Sequence, residues 1–277
     1  MQQLLPNIES ISSLESKTTF FYFFKFKKGE IDGSDIRKGF AQHQAKCLHW
    51  FNCEYTFIGE GDDQWTHAAI FEFPDFKTLE QAVGKGIGSA GIEAVQGFAV
   101  RPTSIPIFIL FLFKLLRPIG TLISLSTGKI SADDVKEMME SESGISPTKN
   151  QVIRHLQNTR SSKAYMINLL QPYAKAQYAN GHSDVSGATA YNKRYGVPAL
   201  RSVIMQGGNL IVSGRMGKPF VEINAPKATQ GAWSGIAIME YPNPSRFQLL
   251  EKMPGYKKAL VHRRAGLERT ALIISKK

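Results

Sequence analysis

The sequence predicts an α+β fold built from two tandem β-α-β-β-α-β units. Three observations carry that prediction. WTHAAIFEFP, from Trp65 to Pro74, returns as WSGIAIMEYP, from Trp233 to Pro242, with five of ten positions identical. Strand-like and helix-like runs follow one another in the same order around each copy. A very apolar stretch lies between the copies and belongs to neither.

The first unit opens with TTFFYFFKFKKG (18–29), aromatic-rich and read as a strand. GSDIRKGFAQHQAKCLHWF (33–51) reads as a helix with Ser34 or Asp35 as N-cap. CEYTFIGEGDDQWTHAAIFEFP (53–74) reads as a hairpin that turns in the cluster from Gly59 to Asp63. A helix over 75–86 and a strand over 93–102 complete the unit. The second unit repeats the plan. KAYMINLLQPY (163–173) is a strand, and 184–206 holds a helix that Pro198 threatens to break. GNLIVSGRM (208–216) pairs with WSGIAIMEYP as a hairpin. A helical stretch over 244–266, interrupted near Pro254-Gly255, precedes a last strand, ERTALIIS (268–275). This is the split-βαβ, ferredoxin-like order, twice. The predicted organisation is a first repeat over 1–104, a helical and strongly apolar insertion over 105–160, and a second repeat over 161–277.

The insertion opens with IPIFILFLFKLLRPIGTLISLS (105–126). Lys114 and Arg117 near its centre are costly in lipid, which disfavours a spanning helix. Lys114, Arg117, Thr121 and Ser124 fall on one polar stripe, and Pro118 breaks the helix or opens a second one. Two readings stay open. The segment lies on a membrane surface, with Phe108 and Phe111 on the apolar side and Lys114 and Arg117 toward headgroups; or it packs internally or between protomers of a homo-oligomer. Two further helices are expected, one over 131–141 with Ser131 and Asp134 at capping-box spacing, one over 146–160 with Ser146 as N-cap and Pro147 at N1.

The net charge of +11 is unevenly placed. Residues 1–160 carry 17 Lys/Arg against 18 Asp/Glu, and residues 161–277 carry 17 against 5. A basic second half attracts acidic partners: lipid headgroups, nucleic acid or an anionic ligand. Two cysteines, Cys47 and Cys53, make no disulfide framework, so a reducing, cytoplasmic setting is expected. The N-terminal stretch MQQLLPNIESISSLES has no basic start or long apolar run, and it reads as lacking a secretory signal.

No motif is a sharp catalytic signature. Gly86-Ile87-Gly88-Ser89-Ala90-Gly91 spells G-x-G-x-x-G, but a helix precedes it and a strand follows, the reverse of a dinucleotide site. His43 and Cys47 share a helical face with no third ligand in phase, so no metal is assigned. Strict alternation along the repeated strand puts Trp65, His67, Ala69, Phe71 and Phe73 on one face. If that face is the one the helices leave free, His67, Trp65 and Trp233 line a cavity between the repeats, and His67 is a candidate base. Glu72 and Glu240 recur at the strand ends and read as structural caps. Tyr165 to Leu169 is loosely similar to an RNA-recognition strand. Its partner strand lacks the basic-glycine-aromatic pattern, so RNA ranks last among partners.

Gly207-Gly208, Glu240-Tyr241-Pro242 and the stretch with Pro254, Tyr256 and Arg263 resemble a family of short domains of uncharacterised function in the dimeric α/β-barrel superfamily. The resemblance covers about 185–277; the first repeat keeps only Glu72-Phe73-Pro74. It implies that two sheets pack face to face within one chain, as an intrachain pseudo-dimer. The superfamily holds cofactor-independent oxygenases, haem-degrading enzymes, isomerases and ligand-binding modules, so it implies no single activity or cofactor. The expectation is a small hydrophobic or anionic molecule bound between the sheets, with oxygenase or isomerase chemistry in view. His67 would act as base, Trp65 and Trp233 as walls, and Tyr256 and Arg263 as anion contacts. A non-catalytic module on an anionic membrane surface is the alternative.

Overall fold

The computed structural model describes residues 18–27, 33–60, 65–86, 91–126, 144–179, 181 and 183–277. The first repeat comprises β1 (Thr18–Phe26), α1 (Ser34–Gln42), β2 (Lys46–Ile58), β3 (His67–Phe73), α2 (Phe76–Gly86) and β4 (Ile92–Pro102). The insertion supplies α3 (Ile107–Leu115), α4 (Arg117–Ser126) and α5 (Lys149–Leu156). The second repeat begins with β5 (Ala164–Pro172). A helical run follows: a turn at Gly187–Thr189, a π-helix at Ala190–Tyr195 and α6 (Gly196–Met205). Then come β6 (Asn209–Arg215), a short β7 (Val221–Ile223) and β8 (Gly235–Tyr241). Short helical turns lead into α7 (Tyr256–Gly266) and β9 (Leu267–Lys276).

Strand pairing closes on itself. The first repeat is ordered β4-β1-β3-β2 and the second β9-β5-β8-β6, each antiparallel and each the ferredoxin-like order. β2 joins β9 from Asn52↔Lys276 to Ile58↔Leu272, and β4 joins β6 at Arg101↔Arg215 and Pro102↔Gly214. Eight strands therefore form a barrel, with β7 paired to β4 at Val95–Gly97 outside the ring. The chain makes within itself the pair of sheets that a dimeric α/β barrel makes from two subunits.

Strand alternation splits the core. Phe21, Phe23, Phe51, Phe98, Tyr165, Ile167, Ile236, Ile238 and Ile273 fill the barrel from both repeats. The residues between them face the helices. In the first repeat these are Phe20, Tyr22, Phe24, Phe71 and Phe73, packed on Ile36 and Phe40 of α1 and Leu79, Ala82 and Val83 of α2. Burying these rings removes a large apolar area from water, which stabilises the fold.

Two boundaries differ from the sequence reading. α1 ends at Gln42, because Gln44 takes a left-handed φ of 57° and turns the chain, so Cys47 and His49 sit on β2 rather than on a helix. The cap of α5 is Thr148, not Ser146; Gln151 at N3 completes a capping box with it. Of the two outcomes expected at Pro118, the second holds: Leu116 separates α3 from α4, and Pro118 stands in the first turn of the second helix, where a missing N–H is harmless. The expected helix over 131–141 and the centre of the glycine-rich loop lie outside the described residues.

Candidate functional site

The barrel interior is closed. Trp65 and Trp233 both enter it, 4% and 0% exposed, and both donate to one residue. Trp65 Nε1 meets Thr229 Oγ1 at 2.9 Å, and Trp233 Nε1 meets the Thr229 carbonyl at 2.6 Å. Thr229 belongs to the loop between β7 and β8, which Gln96 also ties down through the Thr229 carbonyl at 3.0 Å. Trp65 stacks on Phe23 at 5.2 Å, and the Arg269 guanidinium lies 3.9 Å from the Trp233 ring. The tryptophans are thus anchors of a plug, not walls of a ligand site between the sheets.

His67 lies on the other side of the sheet. Ala69, Phe71 and Phe73 pack with the helices, whereas Trp65, Ala68 and Ile70 pack in the barrel. The alternation slips at Thr66. Its N–H donates to the Phe24 carbonyl at 3.0 Å, and its hydroxyl accepts the Phe26 N–H at 3.2 Å. A side-chain group in the ladder shifts the phase by one residue, as a bulge does. Ser234 repeats the slip, with its N–H on the Leu170 carbonyl at 3.0 Å. Half-buried His67 bonds Thr66 Oγ1 at 3.0 Å and lies 5.0 Å from the Phe26 ring and 5.3 Å from Trp50.

The open space is elsewhere. A cavity of about 1080 Å³ lies between the sheet and the helices of the second repeat. Its floor is the helix-facing side of the strands: Met166, Asn168 and Leu170 from β5, and Ala237, Met239 and Tyr241 from β8. Tyr191, Tyr195, Ala199 and Val203 come from the helical run, and Leu260, Arg263 and Arg264 from α7. Ile109 and Phe113 of α3 close one side.

The first repeat explains why the space exists. The matching bonds of Thr66 to Phe24 and of Ser234 to Leu170 align β1 with β5. On that alignment Phe20, Tyr22 and Phe24 correspond to Met166, Asn168 and Leu170. Rings that fill the first repeat are replaced by smaller groups in the second, and α3 roofs the volume they leave. The π-helix contributes too. Gly196 N–H reaches back five residues to the Tyr191 carbonyl, which widens the helix and turns Tyr191 and Tyr195 to the cavity. It also absorbs Pro198, which then falls in the first turn of α6.

Polar groups gather near α7. Tyr195 Oη lies 3.1 Å from Tyr256 Oη. The Arg263 guanidinium donates to the Ile145 carbonyl at 2.8 Å and keeps other N–H groups for a ligand. Burial, reinforced by the neighbouring Tyr195, raises the Tyr191, Tyr241 and Tyr256 phenols above their ordinary range, so at neutral pH they donate hydrogen bonds rather than accept protons. The Asn168 amide donates to the Met166 and Ala237 carbonyls at 3.1 and 3.2 Å, leaving Oδ1 as its remaining acceptor. Glu251 is the one carboxylate among the described lining residues.

Of the residues singled out from the sequence, Tyr256 and Arg263 line this cavity together; His67, Trp65 and Trp233 do not. Lys114, Phe108 and Phe111 are exposed on α3, and half-buried Arg117 donates to the Gly208 carbonyl and Asn209 Oδ1. Glu240 is held by Lys163, Tyr165 and Asn209 at 3.0 to 3.2 Å, a structural cluster. Among the described residues no cluster of three metal-ligating side chains occurs.

Fold and cavity define a class: a single-chain α/β barrel of two ferredoxin-like repeats, with a ligand-sized cavity in the second. No protein-family model matches the chain, and no curated protein sequence does. Among solved structures, a protein of unknown function from Rhodopseudomonas palustris is similar at 27% identity and a TM-score of 0.39, covering 46% of this chain and 92% of that one. A chlorite dismutase variant from Candidatus Nitrospira defluvii is similar at 9% identity and a TM-score of 0.42, covering 95% and 92%. A candidate monooxygenase from Lactobacillus acidophilus gives 10% and 0.38, covering 95% and 94%. The fold assignment rests on the strand pairing itself.

Proposed function

We propose that the protein binds an apolar molecule with an anionic head, such as a long-chain carboxylate, in the cavity of the second repeat. The carrying observation is the replacement of Phe20, Tyr22 and Phe24 by Met166, Asn168 and Leu170 at matching strand positions. It opens about 1080 Å³ in a layer the other repeat fills with rings. That volume suits a ligand of drug or lipid size. The floor and α3 supply apolar wall. Arg263, Arg264 and the protonated phenols of Tyr191 and Tyr256 supply donors for the head. His67 lies outside the cavity, and among the described lining residues Arg263, Arg264 and the phenols outnumber the one carboxylate, Glu251, which favours binding an anionic head.

Titration with dansyl-labelled undecanoic acid tests this. Saturable one-to-one binding is expected. Met166→Phe with Asn168→Tyr, which rebuilds the first repeat's floor, should weaken it about tenfold or more. Arg263→Gln leaves the floor intact and should weaken the acid severalfold but not its methyl ester. Unchanged affinity in the filled variant would sink the proposal.

A further inference from the structure

We infer that α3 and α4 form a membrane-docking element that seats the protein on an anionic lipid surface, beside the cavity. Ten large apolar side chains are exposed among the described residues, and seven of them crowd onto these two helices: Ile107, Phe108, Phe111, Leu112, Leu115, Ile119 and Leu122. They are 50% to 84% exposed, a density well beyond the scattered apolar residues of an ordinary surface. The helices run only nine and ten residues and break at Leu116. No helix among the described residues is long and apolar enough to cross a membrane, so this element lies in the interface plane.

Charge chooses the occupant. Residues 101–126 contain Arg101, Lys114 and Arg117 and no Asp or Glu. Arg215 stands directly opposite Arg101 where β4 meets β6, and both are exposed. A second copy of the chain would meet this patch across a two-fold axis and set these cations against themselves. An anionic bilayer takes the apolar side chains into its acyl boundary and the exposed cations, Arg101, Lys114 and Arg215, onto its headgroups. The opposite side of α3 points the same way. Ile109 and Phe113 line the cavity, as do Ile105 and Pro106 just before the helix. One helix therefore presents apolar residues to the outside and to the cavity, placing a lipid-like ligand one helix away from the bilayer. That last step rests on the proposed ligand class; the docking does not.

Co-sedimentation with phosphatidylcholine vesicles, with or without about a quarter phosphatidylserine, tests the docking. The full chain is expected to pellet with the anionic vesicles and to be released as salt rises. Phe108→Ser with Phe111→Ser should weaken pelleting about tenfold, and Lys114→Glu severalfold. All three side chains are exposed, so circular dichroism should stay unchanged. Undiminished pelleting of the double variant overturns the docking. A wild-type chain that stays in the supernatant also overturns it, whether as a monomer or as a dimer that the double variant dissolves. Equal pelleting with phosphatidylcholine alone overturns the anionic assignment. Titration with the dansyl acid, without vesicles, keeps the two proposals apart. Acid binding without vesicle binding sinks the docking alone; vesicle binding without acid binding leaves the docking standing and sinks the cavity reading.

Discussion

His155 shows how one side chain can tie three elements together and set a pH limit. It lies on α5, 2% exposed, with Nδ1 2.8 Å from the Tyr55 hydroxyl of β2 and its ring 5.4 Å from Phe247. Burial, with a smaller push from the Arg160 charge, holds its pKa at about 4 against an ordinary 6.5. Well above 6.5 the imidazole is neutral folded or unfolded. Between 6.5 and about 4 the unfolded chain takes up a proton that the folded chain refuses, so stability falls as pH falls through that window. The full effect is on the order of 3 kcal/mol. His155→Gln keeps a partner for Tyr55 and cannot titrate, so its melting temperature should drop less on acidification than the wild type's. Parallel thermal melts across the window check this, and identical slopes would refute it. Residue-scale reading of the sequence fared unevenly for a physical reason. Tyr256 and Arg263 come from a family-like helix and do line the cavity. His67 and the tryptophans were placed by strict alternation, which Thr66 and Ser234 break with local hydrogen bonds that periodicity does not encode. The cavity itself was legible only by laying TFFYFFKF against YMINLLQP, where the loss of rings from the second copy is visible.

At the scale of elements, the order of strands and helices in both repeats was readable, because each strand is a strong apolar run and each helix has a polar boundary. What escaped was set by tertiary packing. β7 is three residues long and exists because β4 offers it an edge. The rotation of the apolar insertion is another case. Polar-stripe reasoning grouped Lys114 with Arg117, yet the break at Leu116 separates them, one exposed on α3 and the other bonded to Gly208 and Asn209 from α4. α4 is fixed from below as well. A Cβ on Gly120 would stand 2.2 Å from the Met205 carbonyl oxygen, so the helix approaches α6 as closely as a glycine allows. Gly120→Ala should therefore push α4 off α6. A loss of about 1–3 kcal/mol is expected, the usual range for overpacking, set against any helix-propensity gain from alanine. Chemical denaturation reads it, and a variant at least as stable as the wild type would show that the approach is not tight.

For the whole molecule the duplication is symmetric in pairing but not in strength. The β2–β9 seam runs from Asn52↔Lys276 to Ile58↔Leu272. Its counterpart between β4 and β6 keeps only Arg101↔Arg215 and Pro102↔Gly214, with the Thr103 N–H on the Ser213 carbonyl at 2.8 Å beyond them. Two observations account for the difference. β7 takes the edge of β4 at Val95–Gly97 that β6 would otherwise extend along, and the seam carries two like charges side by side. The short seam also leads straight into Thr103, Ser104 and Ile105, which line the cavity beneath α3, with Ser213, Gly214 and Arg215 opposite them. The weakest closure of the barrel thus borders the cavity, which makes it the expected route of ligand entry. Local opening follows local bonding, so backbone amides at 98–106 and 209–216 should exchange with solvent at least about tenfold faster than those at 52–58 and 271–276. Hydrogen exchange followed by mass spectrometry measures this directly. Filling the cavity with the dansyl acid should slow the first pair of segments and leave the second unchanged. Equal protection at both seams would mean that the barrel opens as one unit, and that the entrance lies somewhere other than between β4 and β6.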